Sequence, residues 1–285
     1  MKVKIMAISL FLIFIIPYNS SAHFIFSDIE INVEEISPIP LGKEITAEVN
    51  VTFTWGFGAI IPLPVKIYVE AENVPEWLSV RFSPSEFTIT PAKLMGGEVS
   101  KTVKMMLKAN KETTAYSIYS FSLHVYTNGS FLIKGCEKRK EISVMEDFVD
   151  NGLTIEAPSA VHLYKGDEET IMLNITNNCN ANINVELSTE NATGFSFTFD
   201  KRIFSIPPKT KKSVLVTIKA EEIRETNAKI KLTYYPVGHQ EKKNYEEYQM
   251  NLFSEAKAGG GGAIAVGLII ILIGIIVFII WKKKF

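Results

Sequence analysis

Cysteine is almost absent from this chain: its 285 residues include two, Cys136 and Cys179. That excludes a disulfide-stapled scaffold and leaves ordinary hydrophobic cores to hold the fold. The two thiols are expected to be free, or to pair with another chain. Histidine is scarce as well. His23, His124, His162 and His239 form no His-x-x-x-His pair and no Cys/His cluster at zinc spacing. Neither a Gly-x-Ser-x-Gly elbow nor a phosphate-cradling glycine loop occurs. No catalytic residue, metal ligand or cofactor is assigned, and the chain is not expected to be an enzyme. An excess of either charge is missing too. Lys plus Arg number 30 against 31 Asp plus Glu, a net charge of −1. No basic stretch is dense enough for a nucleic-acid partner. Helical periodicity is absent between His23 and Lys257, where Glu221 to Thr226 offers one turn at most.

What is present begins at the two ends. From Gly259 the chain reads four glycines, then an uncharged apolar run from Ala263 to Trp281, then Lys282, Lys283, Lys284 and Phe285. The run is about 19 residues, enough for a helix to span a hydrocarbon core. The lysines after it place residues 282–285 in the cytoplasm by the positive-inside rule. At the other end, Lys2 and Lys4 precede an apolar stretch from Ile5 to Ile16, and Ser20-Ser21-Ala22 offers a cleavage site. This predicts a secretory signal peptide over 1–22. An uncleaved anchor is the alternative, although Ile5 to Ile16 is short for a span. The expected localisation is the cell membrane, single-pass, with the ectodomain outside. Setting aside the five lysines at the two ends leaves −6 for the rest, a mildly acidic ectodomain.

Strand signals fill the middle. Ile45, Ala47, Val49, Val51 and Phe53 alternate with Thr46, Glu48, Asn50 and Thr52, and similar runs recur to Val144. Period two over short runs separated by turn residues marks half-buried strands of an antiparallel sandwich. The second half repeats the first. Asn50-Val51-Thr52 matches Asn174-Ile175-Thr176. Leu78, Val80, Phe82, Phe87, Ile89 and Pro91 match Phe195, Phe197, Phe199, Phe204, Ile206 and Pro208 without a gap. The fold class expected is all-β: two tandem sandwiches of about seven strands each, plus one C-terminal transmembrane helix. The domains are a signal peptide at 1–22, sandwiches at 23–150 and 151–254, a glycine-rich linker at 255–262, the span at 263–281 and the tail at 282–285. The sandwich boundary rests on the turn sequence Asp150-Asn151-Gly152.

A strand carrying Asn-Ile-Thr-Asn-Asn, then Phe-x-Ile-Pro-Pro-Lys-Thr, then Ser-Val-Leu-Val-Thr-Ile resembles the tandem immunoglobulin-like domains of prokaryotic, especially archaeal, surface proteins. These include the CARDB-like, cell-adhesion-related families. The resemblance covers nearly all of Asp28 to Phe253. It implies an immunoglobulin-like fold and a binding or spacer role, and it carries no catalytic residues over.

The two copies differ most after their second strand. The second turns through Asn177-Asn178-Cys179-Asn180. The first runs Thr54-Trp55-Gly56-Phe57-Gly58-Ala59-Ile60-Ile61-Pro62-Leu63-Pro64, longer and apolar. Loops are ordinarily polar and exposed, and an apolar tip often marks an interface. Trp55, Phe57, Ile60, Ile61 and Leu63 are the candidate partner-binding residues, for a protein or glycan ligand, beside the segment Asn128 to Cys136. The competing reading has this loop plugging the end of its own core. Four Asn-x-Ser/Thr sequons, at Asn50, Asn128, Asn174 and Asn191, are candidate glycosylation sites. His124 is expected to be a solvated strand residue. The acidic runs Asp167-Glu168-Glu169 and Glu246-Glu247 lack calcium-loop spacing and read as solvated surface.

The function these signs favour is a non-catalytic, membrane-anchored extracellular protein of the cell envelope, binding or displaying through its tandem domains. The alternative is an accessory subunit of a membrane complex for transport, secretion or signalling. Ala263 and Gly267 form a small-x-x-x-small pair of the kind that packs helices.

Overall fold

The computed structural model describes residues 24–257. The expected signal peptide at 1–22, span at 263–281 and tail at 282–285 lie outside the described residues, as does most of the expected 255–262 linker. Among the described residues, no helix is long and apolar enough to cross a membrane. Their regular structure is β-strand, apart from one short 3-10 helix at Gln240–Lys242. Two compact units meet in sequence between Asn151 and Gly152.

Unit 1 contains β1 (Ser27–Val33), β2 (Glu44–Trp55), β3 (Val65–Glu72), β4 (Leu78–Ser83), β5 (Glu86–Ile89), β6 (Gly97–Ala109), β7 (Tyr119–Gly129) and β8 (Lys134–Val144). One sheet has the order β1-β2-β6-β4 and the other β5-β3-β7-β8. Alternation explains the pairing. Along β2, Ala47, Val49, Val51, Phe53 and Trp55 are buried, whereas Glu48 and Asn50 are exposed. Val103, Met105 and Leu107 of β6 and Ile67, Leu123 and Val125 of the second sheet join them in one core. Burying each such side chain stabilises by about 1.5–3 kcal/mol. The β2–β6 register runs from Glu44 opposite Lys108 to Trp55 opposite Gly97.

Unit 2 contains β9 (Leu153–Glu156), β10 (Ala160–Tyr164), β11 (Glu168–Asn177), β12 (Ile183–Glu190), β13 (Phe195–Phe199), β14 (Ile203–Ile206), β15 (Lys211–Ala220), β16 (Glu225–Pro236) and β17 (Asn244–Glu255). Its sheets have the orders β13-β15-β11-β9 and β10-β17-β16-β12-β14. The strand order of unit 1 reappears here strand for strand. In both units the fourth and fifth matching strands, β4 and β5 or β13 and β14, fall in opposite sheets. The first segment divides likewise. It pairs with the second strand through β1 or β9, then runs parallel beside the last strand, as the Ile39–Glu146 bridge or as β10. Both units are therefore β-sandwiches, compatible with an immunoglobulin-like fold.

Three expectations change. Unit 1 has eight strands and unit 2 nine, rather than about seven, because short segments such as β5, β9 and β10 also pair. Glu221 to Thr226 forms no helical turn, and β16 begins at Glu225. The linker begins later than residue 255, since Glu255 ends β17.

Asn177 fastens the end of unit 2. It is fully buried, and its Nδ2 donates to the carbonyls of Ala181, Ile206 and Pro207 at 2.8, 3.0 and 3.0 Å. Its Oδ1 accepts the Cys179 N–H at 2.9 Å. Removing that amide strands buried carbonyls, each costing about 1–3 kcal/mol if left unpaired. Asn177→Ala should lower the stability of unit 2 by about 2–3 kcal/mol, read as an earlier urea midpoint for the β11 to β16 amides in hydrogen exchange.

Candidate binding tip

Four chain segments gather at the end of unit 1 where β2, β5 and β7 finish and β3, β6 and β8 start. Backbone hydrogen bonds tie them together. The N–H groups of Phe24 and Ile25 donate to the Leu132 carbonyl, each at 3.0 Å, and Lys134 N–H returns to Ile25 at 2.9 Å. Gly56 N–H donates to Phe26 at 2.9 Å, and Gly58 N–H to Leu94 at 2.8 Å. Gly96 and Gly97 allow the β5–β6 turn to close on this frame. A Cβ at Gly96, whose φ is +86°, would lie 2.6 Å from the Trp55 carbonyl. One at Gly97 would lie 2.8 Å from the Trp55 ring. No other residue fits both positions without displacing the tryptophan.

The two readings of the apolar loop divide along its length. Trp55 is not available to a partner. It ends β2, is 6% exposed and stacks on Phe53 with ring centroids 6.3 Å apart. Period two carries its side chain inward with Val49, Val51 and Phe53. Ala59 is buried as well, and Leu63 is half-buried. Phe57, Ile60 and Ile61 face outward, at 67%, 67% and 58% exposure. Loop packing thus plugs the core with Trp55 and Ala59 and presents the remainder. Sequence reasoning missed most of the surrounding patch: Phe24, Phe26, Leu94, Met95 and Phe131 are also exposed. The signal was legible as apolar residues flanking glycine turns at Leu94-Met95-Gly96-Gly97 and Asn128-Gly129-Ser130-Phe131. The β7–β8 hairpin is tight, and Cys136 lies within β8, not in a loop before it.

His124 departs from expectation. It sits on the outward face of β7, yet it is 8% exposed. Nδ1 lies 2.9 Å from Glu72 and Nε2 3.0 Å from Glu137. A neutral imidazole has one N–H and can donate to only one of them. Arg139 bridges the same two carboxylates, at 3.2 and 3.0 Å. Tyr126 stacks on the His124 ring at 4.8 Å and on Tyr68 at 5.1 Å. Period two gives the direction of the side chain, whereas cross-strand neighbours on β3 and β8 supply the cover. The hydrogen bond from Arg139 holds the Glu72 carboxyl below its ordinary value of 4.5. His124 and then Arg139 do the same for Glu137.

The remaining sites are placed simply. Asn128 and Asn191 are exposed in or beside turns, and Asn50 is exposed in mid-strand. Asn174 is half-buried, with its Oδ1 accepting a hydrogen bond from Ser213 at 2.6 Å. Asp167 pairs with Lys257 at 2.6 Å and Glu247 with Lys229 at 2.7 Å. Among the described residues, no group of three His, Cys, Asp or Glu side chains is arranged to hold a metal ion. Neither Cys136 nor Cys179 forms a disulfide. Burial pushes the Cys136 thiol up, against a hydrogen bond from Ser27.

No protein-family model and no curated protein matches the chain. Among solved structures it is similar to the ASH/PapD-like domain 7 of human CEP192. Identity is 12% over 37% of this chain and 86% of that one, at a TM-score of 0.33. It is also similar to a protein of unknown function from Porphyromonas gingivalis: 12% identity, 79% and 99% coverage, TM-score 0.29. The YadV chaperone gives 15%, 79% and 100%, and 0.27. The sandwiches are established by their own strand pairing.

Two tests follow from this geometry. Trp55→Ala should cost unit 1 about 3–5 kcal/mol. Phe57→Ala should stay within about 0.5 kcal/mol of wild type. Urea unfolding of the two variants checks both. Depressed carboxylates stabilise the fold above their ordinary value and lose that effect as pH falls through the lower, folded-state value. Protection of β3, β7 and β8 amides should therefore hold down to the ordinary carboxylate value of 4.5 and fall below it. The fall should be shallower in Glu72→Gln/Glu137→Gln.

Proposed function

We propose that this protein is a non-catalytic, membrane-anchored binding protein of the cell envelope that engages its partner through the unit 1 tip. In this reading residues 1–22 are a cleaved signal peptide. Ala263–Trp281 is the anchor, with Lys282 to Lys284 on the cytoplasmic side. The sandwiches are extracellular domains of the cell-adhesion-related, immunoglobulin-like kind. One observation carries the proposal: four separately anchored segments expose large apolar side chains at the same end of a sandwich. Sandwich ends ordinarily carry polar loops, and unit 2 closes its equivalent loop with the buried amide of Asn177.

The test is chemical crosslinking on native membranes, followed by isolation of the tagged full chain. Wild type is expected to retain a crosslinked species that Phe57→Asp/Ile60→Asp loses while keeping its fold. The same species in both proteins would show that binding occurs elsewhere. A stoichiometric transport or secretion subunit among the products would turn the reading towards an accessory role.

A further inference from the structure

Chemistry at the tip narrows the partner. Phe24, Phe26, Phe57, Ile60, Met95 and Phe131 protrude from four segments, with Phe131 at 78% and Met95 at 83% exposure. Every exposed phenylalanine among the described residues is in this set. Together the six expose on the order of 700 Å² of largely apolar surface.

Charge is distributed as unevenly. Residues 24–27, 55–65, 90–97 and 128–135 contain no Asp or Glu, in a chain that has 31, and their only charged residues are Lys93 and Lys134; the flanking carboxylates Asp28 and Glu98 lie one residue further into β1 and β6. Protein-binding hot spots favour Trp, Tyr and Arg. The tip exposes none of these; it exposes Phe, Ile and Met beside lysine. That is the composition of a surface that enters the boundary between acyl chains and headgroups, with lysine attracted to anionic lipid.

Backbone bonds already satisfy part of the tip. A loop entering hydrocarbon must satisfy its own N–H groups. Here Phe24, Ile25, Gly56, Gly58, Ile60, Gly96, Ser130 and Lys134 all donate within the tip. Pro62, Pro64 and Pro91 have no N–H to satisfy.

We propose that the unit 1 tip docks on an anionic lipid bilayer, inserting Phe57, Ile60, Met95 and Phe131 among the lipids while Lys93 and Lys134 meet the headgroups. This rests on the tip being the binding end of the chain. Asn128 stands in the same hairpin, so docking requires that position to carry no glycan.

The test uses the full chain with Cys136→Ala and Cys179→Ala, reconstituted into vesicles whose acyl chains carry a doxyl quencher. An environment-sensitive fluorophore is attached at Asn128→Cys, which also removes the sequon, or at Asn110→Cys beyond the opposite end of β6. With phosphatidylglycerol vesicles, the reporter at 128 should be quenched several-fold more than the reporter at 110. That difference should vanish in Phe57→Asp/Phe131→Asp. It should also fall in Lys93→Glu/Lys134→Glu, which leaves the apolar side chains intact. Equal quenching at 128 and 110 in a folded protein overturns the proposal. So does a difference that is the same in phosphatidylcholine. A protein or a second copy of this chain crosslinked to the tip, with the reporter at 128 unquenched, overturns lipid docking and leaves the binding reading standing. Loss of both signals removes both.

Discussion

Val49, Phe53, Met105 and Leu107 on one sheet, and Ile67, Leu123 and Val125 on the other, are completely or almost completely buried in unit 1. The same constraint holds unit 2, through Leu173, Ile175, Val214 and Val216 against Val185, Leu187, Leu232 and Tyr234. With neither cysteine in a disulfide, apolar contact between paired sheets is what the fold depends on. It fixes register, because a slip of one residue would turn every inward side chain to water. It also decides where each loop begins, since a strand ends where its inward positions run out of opposing sheet.

The tip follows from that rule. Trp55 is the last inward residue of β2, and its ring occupies the space opposite Gly97. Beyond that position only Ala59 returns to the core before Val65, and Phe57, Ile60 and Ile61 project outward. Unit 2 meets the same end differently: Asn177 turns its amide onto three carbonyls and closes the loop with polar bonds. One architecture thus supports a polar cap in one copy and an apolar face in the other. Hydrogen bonds from Phe24, Ile25, Gly56 and Gly58 hold that face, so binding there need not order the loops first.

Much of the sandwich was legible because period two is a local property. The alternation in β2, β3, β6 and β7 and the parallel between Leu78–Pro91 and Phe195–Pro208 could be read without knowing any partner strand. What was not legible depends on neighbours distant in sequence. His124 has outward parity, but Glu72 from β3 and Glu137 and Arg139 from β8 cover it. Trp55 looked like a loop residue beside Gly56, yet β6 extends far enough to pair with it. Phe24 and Phe131, more than a hundred residues apart, belong to one patch because the Leu132 carbonyl and the Lys134 N–H bind the N-terminal segment.

The central claim is that the apolar end of unit 1 meets a partner in the native envelope. Photo-crosslinking from a benzophenone side chain tests it most directly, placed in turn at Phe57 and at Lys108, an exposed position at the far end of β6. Irradiation of native membranes should give strong adducts, to lipid or protein, from position 57 and background from position 108. Equal adduct formation at the two positions would contradict the account and leave the tip an exposed surface without a partner.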